Sequence, residues 1–147
     1  MLGLDLQCSD TPLPPVSAGH RRWSGHIALS GDWRGAVAVA CLEPMARTAA
    51  AAMFGMELEA ATAAEIQDAI GELANIVGGQ AKMVLGGSCA LGLPVVIEGD
   101  VFEATVPHSR LVVTLHFRCD GHPVDVVILG ADPRGGAPAD GVHFSEN

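Results

Sequence analysis

Tyrosine is absent from this chain, and aromatic residues make up only 4% of it. A core without large rings must be built from Val, Leu, Ile and Ala, which suits thin sheets covered by alanine-rich helices. Lysine occurs once, at Lys82, beside seven arginines, and the formal net charge is −9. Nothing here builds the basic stripe that a phosphate backbone requires, so nucleic-acid binding is excluded. Attraction to an acidic membrane surface is disfavoured for the same reason. No apolar run reaches the roughly 18 residues of a membrane span. Residues Met1 to Asp10 have no basic stretch followed by an apolar one, so no signal peptide is expected. The four cysteines (Cys8, Cys41, Cys89 and Cys119) are scattered with no Cys-x-x-Cys spacing. They read as reduced, mostly buried small hydrophobes of a cytoplasmic protein.

What is present is a hydrophobic share of 49% with 17% charged residues, the balance of a globular chain. Its 147 residues fit a single domain able to bury about 70% of its unfolded surface. Residues 1–18, with Thr11-Pro12-Leu13-Pro14-Pro15, read as a flexible lead-in. From Trp23 the pattern alternates, with Trp23, Gly25, Ile27 and Leu29 on one face. Ser30-Gly31-Asp32 marks a turn, and Ala36 to Cys41 resumes as the second strand of a hairpin. Glu43-Pro44 opens a helix that runs to about Phe54, where Gly55 closes it. Thr62 and Glu65 form a capping box for a second, longer helix that ends near Leu85, before Gly86-Gly87. Leu91 to Glu98 is extended around Pro94, as an edge or irregular strand. Val101 to Val106 reads as a further strand.

Asp120-Gly121 is the strongest hairpin signal in the chain. A two-residue loop there pairs positions whose numbers sum to 241, so His116 faces Asp125 and Phe117 faces Val124. Residues 131–147 are rich in Gly, Pro and Asp and read as a disordered tail. The fold expected is α+β: an antiparallel or mixed sheet of about five or six strands with two main helices packed on one face.

Several constellations fall away on geometry. His116-x-x-Cys119-x-x-His122 suggests zinc, but His116 and Cys119 are an odd number of residues apart on one strand and point to opposite faces. No fourth ligand has suitable spacing. Ser109 beside His108 lacks a nucleophile elbow. Leu85-Gly86-Gly87-Ser88 lacks the Gly-Lys-Ser/Thr ending of a phosphate-cradling loop.

The long helix holds the remaining candidate. At 100° per residue, Ile66, Ile70, Leu73, Val77 and Val84 form an apolar stripe. Relative to Asp68, Glu72 lies at about +40°, Asn75 at about −20° and Gly79 at about +20°. Two acids and a carboxamide thus share a sector roughly 60° wide, away from the stripe. Periodicity alone favours the plainer reading of a solvated polar face. Against it, Asn competes for the backbone in mid-helix and needs a reason to be there. Gly79 leaves bare backbone one turn beyond Asn75. Gly71 and Gly78 line one flank of the sector, where a partner could approach closely.

The segment Asp68-x3-Glu72-x2-Asn75, within Asp-Ala-Ile-Gly-Glu-Leu-Ala-Asn-Ile-Val-Gly-Gly-Gln-Ala-Lys, resembles the signature of the chemotaxis phosphatases of the CheC, CheX and FliY type. Ile27 to Gly35 resembles the family's first hairpin, and Leu93 to Gly99 its strand after the long helix. The likeness spans roughly residues 23–128 and is closest to the short, single-motif CheX-like branch. It implies an enzyme, a protein aspartyl-phosphate phosphatase, acting on the phosphorylated receiver domain of a response regulator. By that likeness Asn75 orients the attacking water and Glu72 docks the partner's active-site lysine. Asp68, Gly71 and Gly79 belong to the partner-binding face. It also implies no metal and no cofactor of the chain's own, the divalent ion belonging to the receiver domain.

Two departures accompany the likeness. The earlier helix has Glu43 but Ala46 where a second Asn stands in two-site relatives, which leaves one site per chain. A longer form of the motif carries a proline at the position of Glu98, and Pro94 comes four residues early. The alternatives from other classes are a non-catalytic adaptor binding through the same helix face, and a dimerisation domain. A homodimer is compatible with each of them.

Overall fold

A computed structural model describes residues 4–10, 21–85, 88–99 and 109–131. Seven strands form one antiparallel sheet: β1 (Leu6–Ser9), β2 (Arg22–Gly31), β3 (Gly35–Leu42), β4 (Cys89–Leu91), β5 (Val95–Gly99), β6 (Ser109–Cys119) and β7 (His122–Ala131). Their order across the sheet is β1-β6-β7-β3-β2-β4, and β5 pairs with β2 beside β4. Helix α1 (Glu43–Phe54) and helix α2 (Ala63–Leu85) pack against each other and against the central strands. A single 3-10 turn, Leu58–Ala60, joins them.

Local chemistry accounts for most of these boundaries. Pro44 sits in the first turn of α1, where its missing N–H costs nothing. Gly55 ends that helix at φ 64°, a left-handed conformation that glycine adopts without penalty. One half of the capping box forms, with the Thr62 amide donating to Glu65 Oε2 at 2.8 Å, while the Thr62 hydroxyl meets the same carboxylate oxygen. Asp120 and Gly121 both take positive φ, 48° and 81°, as a two-residue hairpin turn requires. The resulting register sets His116 opposite Asp125 and Phe117 opposite Val124. His116 Nδ1 lies 2.8 Å from Asp125 Oδ1 across that pair.

The structure corrects the sequence reading in several places. The strand count rises to seven for two reasons. Leu6–Ser9, in the stretch read as a flexible lead-in, is a strand paired with β6. The segment around Pro94 divides into β4 and β5, because the chain leaves the ladder at Gly92–Pro94 and returns at Val95. Farther along, Val112 is bulged out between Leu111 and Val113, and the pairing shifts by one residue there. Leu111 consequently stands on the opposite face from Val113, Leu115 and Phe117 and is exposed. Ala131 ends β7 rather than starting the tail. The strand expected at 101–106 and the tail from 132 onward lie outside the described residues.

The core lies between the sheet and the helices. Trp23, Ile27, Leu29, Val37, Val39 and Cys41 meet Met45, Ala46, Ala49, Ile66, Ile70 and Leu73 there. The other side of the central strands is also dry: Ser24, His26, Ala36, Ala38 and Ala40 are all buried. The alanines stand in register beside bulkier side chains, Ala38 next to Val127 and Ala36 next to Leu129. Ser24 Oγ lies 2.9 Å from His26 Nε2 in this layer, and burial pushes the His26 pKa down to about 4. Cys41, Cys89 and Cys119 are buried free thiols and Cys8 is an exposed one. Burial, with the nearby Cys119, pushes the Cys41 thiol up to about 12, so it behaves as a hydrophobe rather than a nucleophile. No helix among the described residues is long and apolar enough to cross a membrane.

Candidate functional site on helix α2

Helix α2 sits unusually close to β2, and two glycines permit it. A Cβ at Gly25 would come 2.8 Å from the Ile70 carbonyl oxygen and 3.0 Å from Ala74 Cβ. A Cβ at Gly78 would come 2.7 Å from Ile27 Cγ2. Backbone therefore approaches backbone at one point and a strand side chain at the other. The start of the helix is held by Arg47 of α1, whose guanidinium donates to the carbonyls of Leu58 (3.3 Å) and Ala61 (2.9 Å). Beyond its end, the Ser88 amide donates to Asp32 Oδ2 at 2.7 Å.

The buried side of α2 comprises Ile66, Ala69, Ile70, Gly71, Leu73, Ala74 and Gly78. Its contacts follow rows spaced by four residues, 66-70-74-78 and 69-73, and such rows drift about 40° per step. The drift explains a correction: Val84, expected on the apolar stripe, is 86% exposed because the contact has rotated past it.

Opposite lies the predicted polar sector. Asp68 and Glu72 are exposed, and Asn75 and Gly79 are half-buried. Among the described residues none forms an ion pair or side-chain hydrogen bond with Asp68, Glu72 or Asn75. A Cβ at Gly79 would meet nothing within 4 Å, so the backbone beside Asn75 is open. Gly71 is a different matter. It is buried, with Pro94 Cγ and Val96 Cγ2 each 3.7 Å from where its Cβ would be. The flank of Gly71 and Gly78 that was expected to admit a partner is filled by the chain itself, with Pro94 and Val96 over Gly71 and Ile27 and Leu91 over Gly78.

That link is the part of the site that sequence reasoning missed. Leu91 packs against Gly78 and Pro94 against Gly71, so Gly92–Pro94 run alongside the segment of α2 that carries Asn75. The Gly92 amide donates to the Ala28 carbonyl at 2.9 Å and ties the link to β2. Pro94, four residues before the motif position, thereby lies against α2, while Glu98 forms an ion pair with Arg21. The first helix offers no second site: Ala46 is fully buried, and Glu43 is 3.8 Å from Arg47. Among the described residues no three His, Cys, Asp or Glu side chains gather in a way that could hold a metal ion.

Residues 23–118 match the sequence pattern of a known family, chemotaxis phosphatase CheX. The chain belongs to that family. Solved structures agree. Chemotaxis protein CheX from Vibrio vulnificus superposes with a TM-score of 0.62 at 25% identity, covering 87% of this chain and 84% of that one. CheX from Desulfovibrio desulfuricans gives 0.62 at 22% identity over 87% of each chain. The CheX of a CheX–CheY–BeF3–Mg2+ complex from Borrelia burgdorferi gives 0.54 at 16% identity, covering 75% of this chain and 76% of that one. The last two likenesses bear on the fold alone. No curated protein matches this CheX-family chain.

Proposed function

We propose that this chain hydrolyses the aspartyl-phosphate of a response-regulator receiver domain, using Asn75 to orient the attacking water and Glu72 to dock the partner. The observation that carries this reading is the state of α2. Glu72 and Asn75 stand one turn apart without partners among the described residues, beside the open backbone of Gly79, on a helix held firmly from behind.

The chemistry asks little of the protein beyond placement. Phosphoryl transfer passes through a loose transition state, so holding a water in line with the bond to be broken supplies much of the rate. A carboxamide suits the task because its oxygen accepts and its nitrogen donates, fixing both position and orientation of one water. Water adds to phosphorus as the bond to the aspartyl oxygen breaks. The products are the free carboxylate and dihydrogen phosphate, which retains both of the water's protons. Glu72, an exposed carboxylate, pairs with the lysine of the receiver's active site and sets the register in which Asn75 enters it. Asp68 extends the same acidic face one turn earlier. The divalent ion of the reaction is the receiver's, and this chain contributes no cofactor. Within the family membership, the Borrelia complex of a CheX with CheY supports a receiver as the partner.

The test is the timed loss of acyl-phosphate from candidate regulators with and without the protein. Asn75→Ala is expected to return the rate to the regulator's own, with the fold intact by circular dichroism. An equal shortening of the phosphate lifetime by that variant overturns the assignment. Glu72→Ala is expected to raise KM more than it lowers kcat, and unchanged binding to the regulator removes the docking role. Binding without any acceleration by the wild-type chain is the adaptor outcome.

A further inference from the structure

Two of the three most exposed large apolar side chains among the described residues border the Asn75 face: Leu93 at 89% and Met83 at 77%. Leu93 belongs to the β4–β5 link, between Leu91 beside Gly78 and Pro94 beside Gly71, which sets it level with the Asn75 turn of α2. Met83 lies one turn beyond Gly79 and about 40° round from it. The bare backbone of Gly79 lies between them.

Single exposed apolar residues are ordinary. Leu93 differs in being held out on a fastened support. Its neighbours on both sides are pinned, Gly92 by the hydrogen bond to Ala28 and Pro94 by packing on Gly71. A leucine fixed in water keeps its hydration cost, and its link has little freedom to fold it back. Burying such a side chain against a partner gains free energy with little ordering penalty, because the support is already ordered.

Resting on the phosphatase reading above, we propose that Leu93, with Met83 on the far side of Gly79, seats an apolar patch beside the receiver domain's phosphorylation pocket and selects which receiver is bound. The occupant follows from continuity with the catalytic face: a domain brought close enough for Asn75 to enter its active site must pass over the adjoining link. The acids Asp68 and Glu72 recognise the pocket's positive charge, a feature of any receiver with an active-site lysine. The apolar pair reads the neighbouring surface, which is where regulators can differ.

The experiment measures kcat and KM for dephosphorylation of the most responsive regulator by the wild-type chain, Leu93→Ser, Met83→Ser, Asn75→Ala and Leu111→Ser. The last is a control at an exposed leucine of β6. Leu93→Ser is expected to raise KM about tenfold or more with kcat within a factor of two, while Leu111→Ser changes neither. Met83→Ser is expected to raise KM by a smaller factor in the same direction. If Asn75→Ala loses the acceleration but Leu93→Ser leaves KM unchanged, the docking inference falls and the phosphatase reading stands. If Asn75→Ala behaves as wild type, both fall. If Leu93→Ser instead reduces the mass on a sizing column without changing KM, the leucine covers a second copy of this chain and the inference is overturned.

Discussion

Adjacent glycines in the middle of α2 should respond to alanine with opposite signs. Both occupy helix interior, where replacing glycine by alanine gains about 0.8–1.0 kcal/mol. At Gly79 the new methyl meets nothing within 4 Å, so the whole gain is realised. For a chain of this size that corresponds to a rise in Tm of about 2–4 °C. At Gly78 the methyl falls 2.7 Å from Ile27 Cγ2 and 3.4 Å from Leu91 Cδ2. Ile27 is fully buried, and its Cγ2 is attached directly to a β-branched carbon that cannot turn without leaving its rotamer. Relief must come from lifting the helix or distorting the strand, and overpacking of this kind costs about 1–3 kcal/mol. Net of the propensity gain, Gly78→Ala ranges from about neutral to about 2 kcal/mol destabilising. The neighbours therefore differ by about 1–3 kcal/mol. Urea titrations of both variants, with m-values checked for constancy, measure the difference directly. If Gly78→Ala is as stabilising as Gly79→Ala, α2 does not lie against β2 as described, and the rigid mounting of Asn75 loses its basis.

Gly25→Ala is expected to be worse, costing about 3 kcal/mol, because its methyl meets the Ile70 carbonyl oxygen rather than a side chain; the midpoint of urea unfolding reports it. Thr62→Ala removes the hydroxyl contact with Glu65 at the start of α2 and should cost up to about 1 kcal/mol in the same assay while leaving the dephosphorylation rate of a regulator unchanged. Burial holds His26 neutral down to about pH 4, whereas in the unfolded chain it binds a proton below about 6.5. Between those values the unfolded state carries more protons, so stability rises with pH and is lost as pH falls from 6.5 towards 4. The loss from this group is roughly 3 kcal/mol, and His26→Gln should flatten the curve by that order. Unfolding at pH 7, 5.5 and 4.5 for both proteins tests it, and parallel curves refute the assignment.

The elements legible in the sequence are those written in strictly local chemistry. Asp120-Gly121 forces one turn type, and one turn type sets the register of the whole C-terminal hairpin near it. Thr62 with Glu65, and Gly55 after an alanine-rich run, mark helix ends by hydrogen bonds that span only a few residues. Elements defined by distant partners were not legible. Leu6–Ser9 has no alternation to read because three of its four side chains are exposed, and it becomes a strand only through the edge of β6. The Val112 bulge has no marker residue. At the candidate site, helical periodicity was enough to bring Asp68, Glu72, Asn75 and Gly79 into one sector. It could not reveal that Gly71 is covered by Pro94 and Val96, nor that Leu93 stands level with Asn75. Both facts depend on where a later strand returns to the sheet. The drift of the α2 contact away from Val84 likewise reflects packing between helix and sheet, which an ideal helical wheel does not contain.

The strand order has a consequence for how the molecule assembles. Strands β2 and β3, both helices and the paired edge strands β4 and β5 follow one another in the chain and contact one another in space. The C-terminal hairpin instead joins through β7 on β3, where Val39 meets Val126 across most of the chain. Closing that seam costs more loop entropy than any pairing among β2 to β5 and belongs to the slow end of folding. The first strand can add only afterwards, since its sole neighbour among the described residues is β6. The surface bearing Asn75 thus takes shape within the part of the chain that is synthesised and paired first. Amide exchange during refolding should show α2 protected before β7, with β1 the last to close.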